Sequence, residues 1–244
     1  MDNYISWLIN KKIAHRGFHN DDAPENTLAA FGRAIESGYA IELDVREIDD
    51  GTVVVFHDDR LSRLTGVDGF TSQLKIEELD DMRILKTNCK IPTLAQVLDF
   101  VAGRTPLLIE IKNSNKVGGL EKSVIEILKK YEGDFAVQSF NPYSLEYFKK
   151  SAPHILRGQL SCSFKNEKSL NRIKKFLLRR MKLNRRVSEP NFISYDFNDL
   201  PCRAVSKYFG KIPVLAWTLR SDTDCERARP YSDNIIFEGF TPAE

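Results

Sequence analysis

The sequence predicts one α/β domain over residues 1–244 with the architecture of a (β/α)8 barrel. Apolar, β-branched runs of strand length alternate with helical patterns along almost the whole chain. No repeat, low-complexity tract or Pro/Gly-rich linker interrupts the alternation. A length of 244 residues with 42% hydrophobic residues also suits one barrel-sized core. An open, doubly wound sheet is the alternative architecture.

The first elements follow one another in regular order. The patterns predict a strand at 13–17, a helix at 27–37 that ends before Gly38, and a second strand at 40–45. A third strand is predicted at 53–57. Only residues 46–52 separate it from the second, which is too few for a crossover helix, so we expect a helix-less connection between strands 2 and 3.

The alternation continues after a polar stretch at 58–81. Further strands are predicted at 107–112, 135–140, 155–160, 192–195, 214–219 and 235–237, and helices at 94–101, 124–131, 144–150, 170–181, 204–209 and 225–229. These nine strands exceed the eight that a barrel needs. One of them is therefore expected to be wrong or to lie outside the barrel.

Composition and the cysteine pattern exclude several classes of protein. No apolar run approaches the ~20 residues that cross a bilayer. Near the N terminus, Lys11 and Lys12 follow a short apolar stretch, which is the reverse of the order in a secretory signal. The cysteines lie far apart without a C-x-x-C pair, which disfavours a zinc site or a disulfide framework. We therefore expect a cytoplasmic protein with four reduced thiols, at Cys89, Cys162, Cys202 and Cys225.

The formal net charge of +2 conceals a strongly basic segment at residues 165–186. This basic segment holds ten Lys and Arg against one acid, Glu167, whereas the rest of the chain has 26 basic and 33 acidic residues and carries −7. Such a segment can meet phosphate, anionic lipid or nucleic acid. Nucleic acid is not expected, because aromatic interleaving and a groove-reading motif are missing. Weak peripheral contact with an anionic membrane stays open.

An apolar face runs through the same segment. Four residues share one side of the predicted helix at 170–181, namely Leu170, Ile173, Leu177 and Met181. The pattern fits an amphipathic helix on a lipid surface. We prefer a barrel helix whose apolar stripe packs on the sheet and whose basic side is solvated.

Charged side chains are concentrated where four predicted strands end. The strands carry His15 with Arg16, Glu42 with Asp44, His57 with Asp58, and Glu110 with Lys112. Residues two apart on a strand point to the same face. Barrels build their active sites from the loops at the carboxyl ends of their strands. These side chains are therefore expected to converge on one site.

The residue types in this set point to phosphate chemistry. Carboxylate oxygens suit a hard divalent cation, Mg²⁺ or Ca²⁺. Arg16 and Lys112 are suited to bind an anion. Two histidines with pKa values near neutrality supply an acid and a base. A metal, an anion clamp and a histidine pair together predict phosphoryl transfer or phosphoester cleavage.

These residues belong to a longer series of motifs. In order, the chain has IAHRG at 13–17, PENT at 24–27, IELDV at 41–45, DGTVVVFHD at 50–58, LSRLTG at 61–66, IPTL at 91–94, LIEIK at 108–112, SF at 139–140 and AWTL at 216–219. The series resembles the signature of the glycerophosphodiester phosphodiesterase family. The resemblance implies a TIM barrel of the phospholipase-C-like type. It also implies metal-dependent hydrolysis of glycerophosphodiesters to an alcohol and sn-glycerol 3-phosphate, in glycerophospholipid metabolism.

The resemblance assigns roles to the residues that match. Glu42, Asp44 and Glu110 match the family's metal ligands, for Mg²⁺ or Ca²⁺. His15 and His57 match its acid–base pair. Which histidine is the base, and whether water or the neighbouring glycerol hydroxyl attacks first, are both left open.

Further matches concern the substrate. Arg16 and Lys112 match the phosphate contacts, and Glu25 matches a pocket position that orients Arg16 or a ligand group. The alternative for Glu25 is an acid that favours a helix N terminus. Phe140 and Trp217 are candidates to pack on the carbon skeleton of the substrate, with a core position as the alternative.

Two positions depart from the family pattern at strand ends. Arg220 stands where the family often has Asn, and Glu238 stands where it often has Asp. Both departures concern the head-group side of the pocket. Small diesters such as glycerophosphocholine are the default substrates, and a specialised sugar phosphodiester or a phospholipase-D-like lyase reaction on intact lipids are alternatives. A non-catalytic binding module is disfavoured, because every candidate ligand and both histidines are present.

Overall fold

The computed structural model describes residues 5–113, 116–165, 167–168 and 170–243, without the side chain of Arg185. Their contacts group them into two compact units. The N-terminal unit comprises residues 13–135, and the C-terminal unit comprises the residues on either side of it. No described helix has the length and apolar character needed to span a membrane. That residues 1–244 form a single domain stays a prediction.

Strands and helices alternate as the sequence predicts. The strands are β1 Ile13–Ala14, β2 Ala40–Glu47, β3 Val53–Val55, β4 Leu107–Ile111, β5 Phe135–Ser139, β6 Arg157–Ser161, β7 Phe192–Asp196, β8 Val214–Leu219 and β9 Asn234–Phe237. The helices are α1 Trp7–Asn10, α2 Leu28–Glu36, α3 Ser62–Thr65, α4 Leu94–Val101, α5 Gly119–Leu128, α6 Pro142–Ser151, α7 Arg172–Arg179, α8 Arg203–Ser206 and α9 Asp222–Ala228. Helix α1 and the short α3 are additions to the predicted set.

In the N-terminal unit, β2 is the central strand. It pairs in parallel with β1 and with β4, and the second register places Asp44 opposite Glu110. Strand β3 instead pairs antiparallel with β2, with Val45 opposite Val55. The helix-less connection is therefore confirmed, and β3 is the predicted strand that does not belong to the parallel set.

The sequence analysis describes residues 58–81 as a polar stretch, whereas in the structure residues 58–91 also contribute apolar side chains to a buried core. They contain α3 and two 3-10 turns, Thr71–Gln73 and Ile76–Asp80. Their apolar side chains pack against β3 and its neighbours in one buried group, the β3 cluster, formed by Ile48, Val54, Phe56, Leu61, Leu64, Leu74, Leu79, Met82, Ile84 and Ile91. Burial of this group holds the segment that follows His57 in a defined conformation.

Capping residues set the helix boundaries near the site. Helix α2 begins after Thr27, whose side chain accepts a hydrogen bond from the backbone N–H of Ala30. It ends at Glu36, and Gly38, two residues further on, has a φ of +75° that favours glycine. Helix α4 begins with a capping box in which Thr93 and Gln96 each bond the other's backbone N–H.

The C-terminal unit contains the parallel strands β6 to β9 in sequence order. The registers place Leu160 opposite Ser194, Tyr195 opposite Ala216, and Leu215 opposite Asn234. Strand β5 pairs with β6 in the same sense, with Ser139 opposite Gln159. The side-chain amide of Asn234 donates to the carbonyls of Leu8 and Lys11, which anchors α1 against β9.

The preferred interpretation of the basic segment is wrong for α7. None of its residues is buried, and Ile173 is 72% exposed. Only Met181, after the helix, packs into the core of the unit. The apolar stripe of α7 therefore does not cover the sheet.

A glycine on β6 provides a test of packing in the C-terminal unit. A Cβ at Gly158 would lie 2.1 Å from a ring carbon of Phe192. We expect Gly158→Ala to lower the free energy of unfolding by about 1–3 kcal/mol through overpacking, as measured by urea denaturation. Gly32→Ala is the control, because a Cβ there would meet only Phe100, at 3.5 Å, inside a helix. Equal stability of the two variants would contradict the described packing.

Candidate active site

The site is built around three buried carboxylates of the N-terminal unit. Glu42 and Asp44 lie two apart on β2, and the parallel register brings Glu110 of β4 beside Asp44. Each residue offers one oxygen, and the three oxygens lie within 4.8 Å of one another. The strand spacing predicted this convergence, and the structure confirms that the three side chains meet.

Two cationic side chains lie against these carboxylates. The Lys112 ammonium is 2.7 Å from Glu110 Oε1 and 3.1 Å from Asp44 Oδ1. Arg16 Nε is 3.3 Å from Asp44 Oδ2, and the backbone N–H of Arg16 donates to Glu42 Oε2 at 2.9 Å. Arg16 and Lys112 are thus brought into the predicted place, where each contacts carboxylates. Their contact with phosphate stays a prediction.

Burial and neighbouring charges shift the pKa values of the three acids in different directions. Burial, together with the charge of Asp44, raises the pKa of Glu42 well above its ordinary value. Burial also acts to raise the pKa of Asp44, but the cations Lys112 and Arg16 outweigh it, so that pKa is lowered. Burial raises the pKa of Glu110. Asp44 therefore stays ionised, whereas Glu42 and Glu110 resist ionisation next to it.

The donor set fits a hard divalent cation. Three carboxylates converge, and Asp44 Oδ1 is buried without a hydrogen-bond donor among the described residues, since the nearby ammonium of Lys112 lacks hydrogen-bond geometry. Oxygen ligands in this number suit Mg²⁺ or Ca²⁺ with further ligands from solvent. A positive charge would also offset the repulsion that raises the pKa of Glu42.

Asn26 is a site residue that the sequence analysis missed. Its side-chain amide donates to Asp44 Oδ2 at 2.9 Å and accepts from the backbone N–H of Asp44 at 3.2 Å. Arg16 and Asn26 have φ values of +56° and +58°, which are uncommon for residues with a side chain. A buried Asn that fixes a carboxylate leaves no periodic pattern in the sequence, which is why Asn26 was missed. The available signal was its place in the motif at 24–27.

A chain of ion pairs joins Arg16 to His57 through residues outside the strands. Arg16 Nη1 is 2.6 Å from Glu25 Oε1, and both Glu25 oxygens also accept from Arg63, at 2.8 Å. Arg63 Nε is 2.5 Å from Asp58 Oδ2, whose other oxygen lies 2.6 Å from His57 Nδ1. The prediction that Glu25 orients Arg16 agrees with this contact. Glu25 lies before the N-cap of α2, so it is not an acid of the first helical turn.

The ion-pair chain fixes the protonation of Asp58. Burial acts to raise the pKa of Asp58, but the hydrogen bonds from Arg63 and His57 outweigh it, and the pKa is lowered. The same balance, with Arg63 and Arg16 as partners, lowers the pKa of Glu25. Both carboxyl groups are therefore ionised at neutral pH and accept hydrogen bonds only.

His57 is consequently a neutral imidazole with an assigned tautomer. Burial lowers the pKa of His57. The positive charges of Lys112 and Arg16 lower it further, although the charge of Asp44 acts to raise it. Because ionised Asp58 holds no proton, His57 Nδ1 donates to it and Nε2 keeps its lone pair. That atom is able to accept a proton. The second histidine, His15, has its Nε2 4.0 Å from Glu42 Oε2.

Arg63 provides a prediction that tests this ion-pair chain. Arg63→Gln removes the cation between Glu25 and Asp58. We expect kcat to fall about tenfold or more through misplacement of His57, with a smaller change in KM. The acidic limb of the pH profile should also move, because Asp58 loses its main hydrogen-bond donor. Arg60→Gln is the control, since Arg60 is an exposed arginine just before α3 and is paired with Asp68 at 3.5 Å. An Arg63 variant that behaves like the Arg60 variant would remove Arg63 from the site.

The other predicted residues belong to the C-terminal unit. The rings of Phe140 and Trp217 meet edge to face with centroids 5.7 Å apart, and Phe164 packs on the other side of Phe140 at 6.0 Å. The indole Nε1 of Trp217 is buried, and no described residue accepts from it. These contacts bring the two predicted aromatic residues together. Their contact with substrate stays a prediction.

The two departures from the family pattern form one ion pair. Arg220 Nη2 lies 2.5 Å from Glu238 Oε1, so the substitutions at the ends of β8 and β9 are complementary. The backbone N–H of Glu238 donates to the carbonyl of Leu219, which aligns the two strand ends. The sequence analysis named both residues and did not pair them.

Parallel α/β units with buried carboxylates beside histidines and cations are typical of enzymes that cleave phosphate esters. The model of the glycerophosphoryl diester phosphodiesterase family matches residues 15–237. The chain belongs to this family.

Individual relatives agree with this assignment. A glycerophosphodiester phosphodiesterase of Caldanaerobacter subterraneus subsp. tengcongensis is 40% identical over 159 residues, which are 61% of this chain and 65% of that protein. One of Bacillus altitudinis is 36% identical over 60% of this chain and 64% of its own length. Human lysophospholipase D is 38% identical over 51% of this chain and 42% of that protein. The matches thus span less than two thirds of these three relatives.

Solved structures match over more of the chain. A glycerophosphodiester phosphodiesterase of Thermotoga maritima has a TM-score of 0.70 and 30% identity, with 92% of each chain covered. A phosphodiesterase of Oleispira antarctica, solved with the product sn-glycerol 3-phosphate, has a TM-score of 0.77 and 25% identity over 96% of this chain and 94% of that one. These matches confirm the predicted fold class, a (β/α)8 barrel.

Proposed function

We propose that the protein hydrolyses glycerophosphodiesters to an alcohol and sn-glycerol 3-phosphate, in the turnover of glycerophospholipids. The observation that carries this proposal is the group of three buried carboxylates with two cations and the His57–Asp58 pair beside it. Membership of the family and the likeness to a phosphodiesterase solved with sn-glycerol 3-phosphate support the choice of substrate.

The carboxylates are suited to hold the cation that the family fold implies. Glu42, Asp44 and Glu110 would bind Mg²⁺ or Ca²⁺, which would supply Lewis-acid polarisation of a phosphate oxygen. Asn26 and Arg16 keep Asp44 in place by contacts with its second oxygen. The first oxygen, Asp44 Oδ1, lies 3.1 Å from the ammonium of Lys112.

His57 is assigned as the general base. Its neutral imidazole accepts at Nε2 the proton of the attacking oxygen, from water or from the substrate's own glycerol hydroxyl. Asp58 accepts from Nδ1 and stabilises the imidazolium that results. His15, whose Nε2 lies 4.0 Å from Glu42 Oε2, gives a proton to the leaving alkoxide.

The cations stabilise the anionic substrate. Arg16 and Lys112 offset the charge that develops on the phosphate oxygens. Both are already held by carboxylates, so their positions are set before substrate arrives. Phe140 and Trp217 are proposed to pack on the carbon skeleton of the substrate, and Glu238 to contact its polar end.

Release of sn-glycerol 3-phosphate from a panel of glycerophosphodiesters tests the proposal. The protein is assayed with EDTA and then with Mg²⁺ or Ca²⁺ restored. We expect release that depends on the divalent cation, with glycerophosphocholine or glycerophosphoethanolamine among the substrates. No release from any diester with either cation present would contradict the proposal.

A second candidate substrate is an intact lysophospholipid. The observation in its favour is the exposed apolar side chains of α7, together with the relative named lysophospholipase D. Lysophosphatidylcholine in the same panel separates the two candidates. Release of choline from it faster than from glycerophosphocholine would favour the second. Exchange of Arg220 for Asn and Glu238 for Asp, as in much of the family, then tests whether this ion pair selects the head group.

A further inference from the structure

Helix α7 is an unusual surface element because its apolar side chains face solvent. Ile173 and Phe176 are 72% and 51% exposed, and no residue of the helix is buried. They lie three apart, on the same side of the helix. Scattered exposed apolar residues are ordinary, but an apolar ridge on one helix marks a surface for interaction.

Contacts on either side of α7 hold the helix in place. Asn171 caps the helix by accepting from the backbone N–H of Lys174 at 2.8 Å. Phe164 before the helix and Met181 after it are buried, and Ser161 Oγ donates to the carbonyl of Leu178. The segment is therefore fixed at both ends while the ridge between them stays outside the core.

Basic side chains surround the ridge. Within the helix and at its end stand Arg172, Lys174, Lys175, Arg179 and Arg180, all without an acid between them. Arg180 lies over the ring of Phe176, with its guanidinium carbon 5.7 Å from the centroid. The charge of the surface is thus strongly positive, whereas the rest of the chain outside the basic segment carries −7.

From this arrangement we propose that α7, with the basic side chains of residues 172–180, is a membrane-docking surface. The ridge of Ile173 and Phe176 inserts at the interface of an anionic bilayer, and the flanking Lys and Arg contact the lipid phosphates. An apolar ridge between cations matches a bilayer, which offers acyl chains below a negative surface. A nucleic acid would use the cations without needing the aliphatic Ile173. The rest of the chain outside the basic segment carries −7 and is repelled by an anionic bilayer, so the attraction depends on these basic residues.

Sedimentation with lipid vesicles tests the proposal on the full chain. The vesicles are phosphatidylcholine alone and phosphatidylcholine mixed with phosphatidylglycerol, each at low and high salt. We expect binding to the mixed vesicles that weakens with salt, and little binding to phosphatidylcholine alone. Ile173→Ser with Phe176→Ser should weaken binding at least about tenfold through lost apolar insertion. Arg172→Glu with Lys174→Glu should weaken it about 25-fold or more, at about fivefold for each basic residue.

Matched variants elsewhere on the protein distinguish binding through this surface from non-specific adsorption to vesicles. Ile76→Ser replaces an isoleucine that is 44% exposed in the N-terminal unit, and Lys122→Glu with Lys130→Glu reverses two exposed charges around α5. Both controls should bind as the unaltered protein does. Circular dichroism and activity on a soluble glycerophosphodiester should be unchanged in all variants, because none alters the proposed active site.

Two results would overturn the proposal. One is the absence of any preference for the mixed vesicles. The other is full retention of vesicle binding by the Ile173 and Phe176 double variant, together with an affinity for single-stranded RNA equal to that for the mixed vesicles. This result would show that the surface binds polyanions in general. If the unaltered protein binds the mixed vesicles but has no phosphodiesterase activity, only the proposed function is contradicted. The two failures are therefore distinguishable.

Discussion

His57→Ala is expected to lower kcat for glycerophosphodiester hydrolysis by about 10²–10⁴-fold, the usual contribution of a general base. The reason is that the proton acceptor at Nε2 is removed while the carboxylates and cations remain. Steady-state kinetics with glycerophosphocholine measure the effect. His154→Ala is the matched control, because His154 is exposed and belongs to the C-terminal unit.

The pH profile gives an independent measure of the same residue. Burial lowers the pKa of His57, so the proton-accepting form persists below the ordinary value of about 6.5. We expect kcat/KM to hold its plateau down to a pH below that value and then to fall as His57 takes up a proton. A divalent cation at the carboxylates acts in the same direction. If kcat/KM already falls at a pH above 7 as the pH is lowered, or if His57→Ala keeps normal turnover, His57 is excluded as the base.

Lys112→Met is expected to lower the free energy of unfolding by about 3–5 kcal/mol in the absence of divalent cations. The substitution keeps a long apolar stem but leaves Glu110 buried without its ion-pair partner, and leaves Asp44 with Arg16 as its remaining cation. Chemical denaturation in EDTA measures the loss. Added Mg²⁺ or Ca²⁺ should raise the Tm of this variant more than that of the unaltered protein, since the cluster has gained net negative charge.

An exposed ion pair of equal length is the control for Lys112. Lys90 Nζ lies 2.7 Å from Asp80 Oδ1, at the surface, and Lys90→Met should cost no more than about 1 kcal/mol. The deficit of Lys112→Met should also shrink toward acidic pH. Carboxyl groups whose folded-state pKa is raised take up protons in the folded protein first, which favours folding as the pH falls. Equal losses for Lys112→Met and Lys90→Met would show that Lys112 is not held in a buried cluster.

Periodicity predicted the parts of the site that lie on strands. Glu42 and Asp44 on β2 and Glu110 on β4 meet because residues two apart share a face and the strands are parallel in register. Most strands and helices were placed within a few residues for the same reason. The pattern also predicted that β3 has no room for a crossover before it.

Site residues outside the strands could not be predicted in this way. Asn26 and Arg63 reach their partners through backbone turns and through an ion pair 38 residues apart in the sequence. Hydrophobic spacing carries no record of such contacts. The β3 cluster was missed because its apolar residues follow short, irregular turns rather than a repeating period. For α7 the period was correct, but an amphipathic pattern does not say what its apolar side faces.

The β3 cluster has a dynamic consequence for the site. It is a small core of its own, built largely from short turns outside the parallel strands, and such regions open locally at lower free energy than central strands do. Asp58 and Arg63 lie in this segment, so each opening would part His57 from the carboxylate that sets its tautomer. The protection of these amides against hydrogen exchange would therefore report how long the general base stays ready between turnovers.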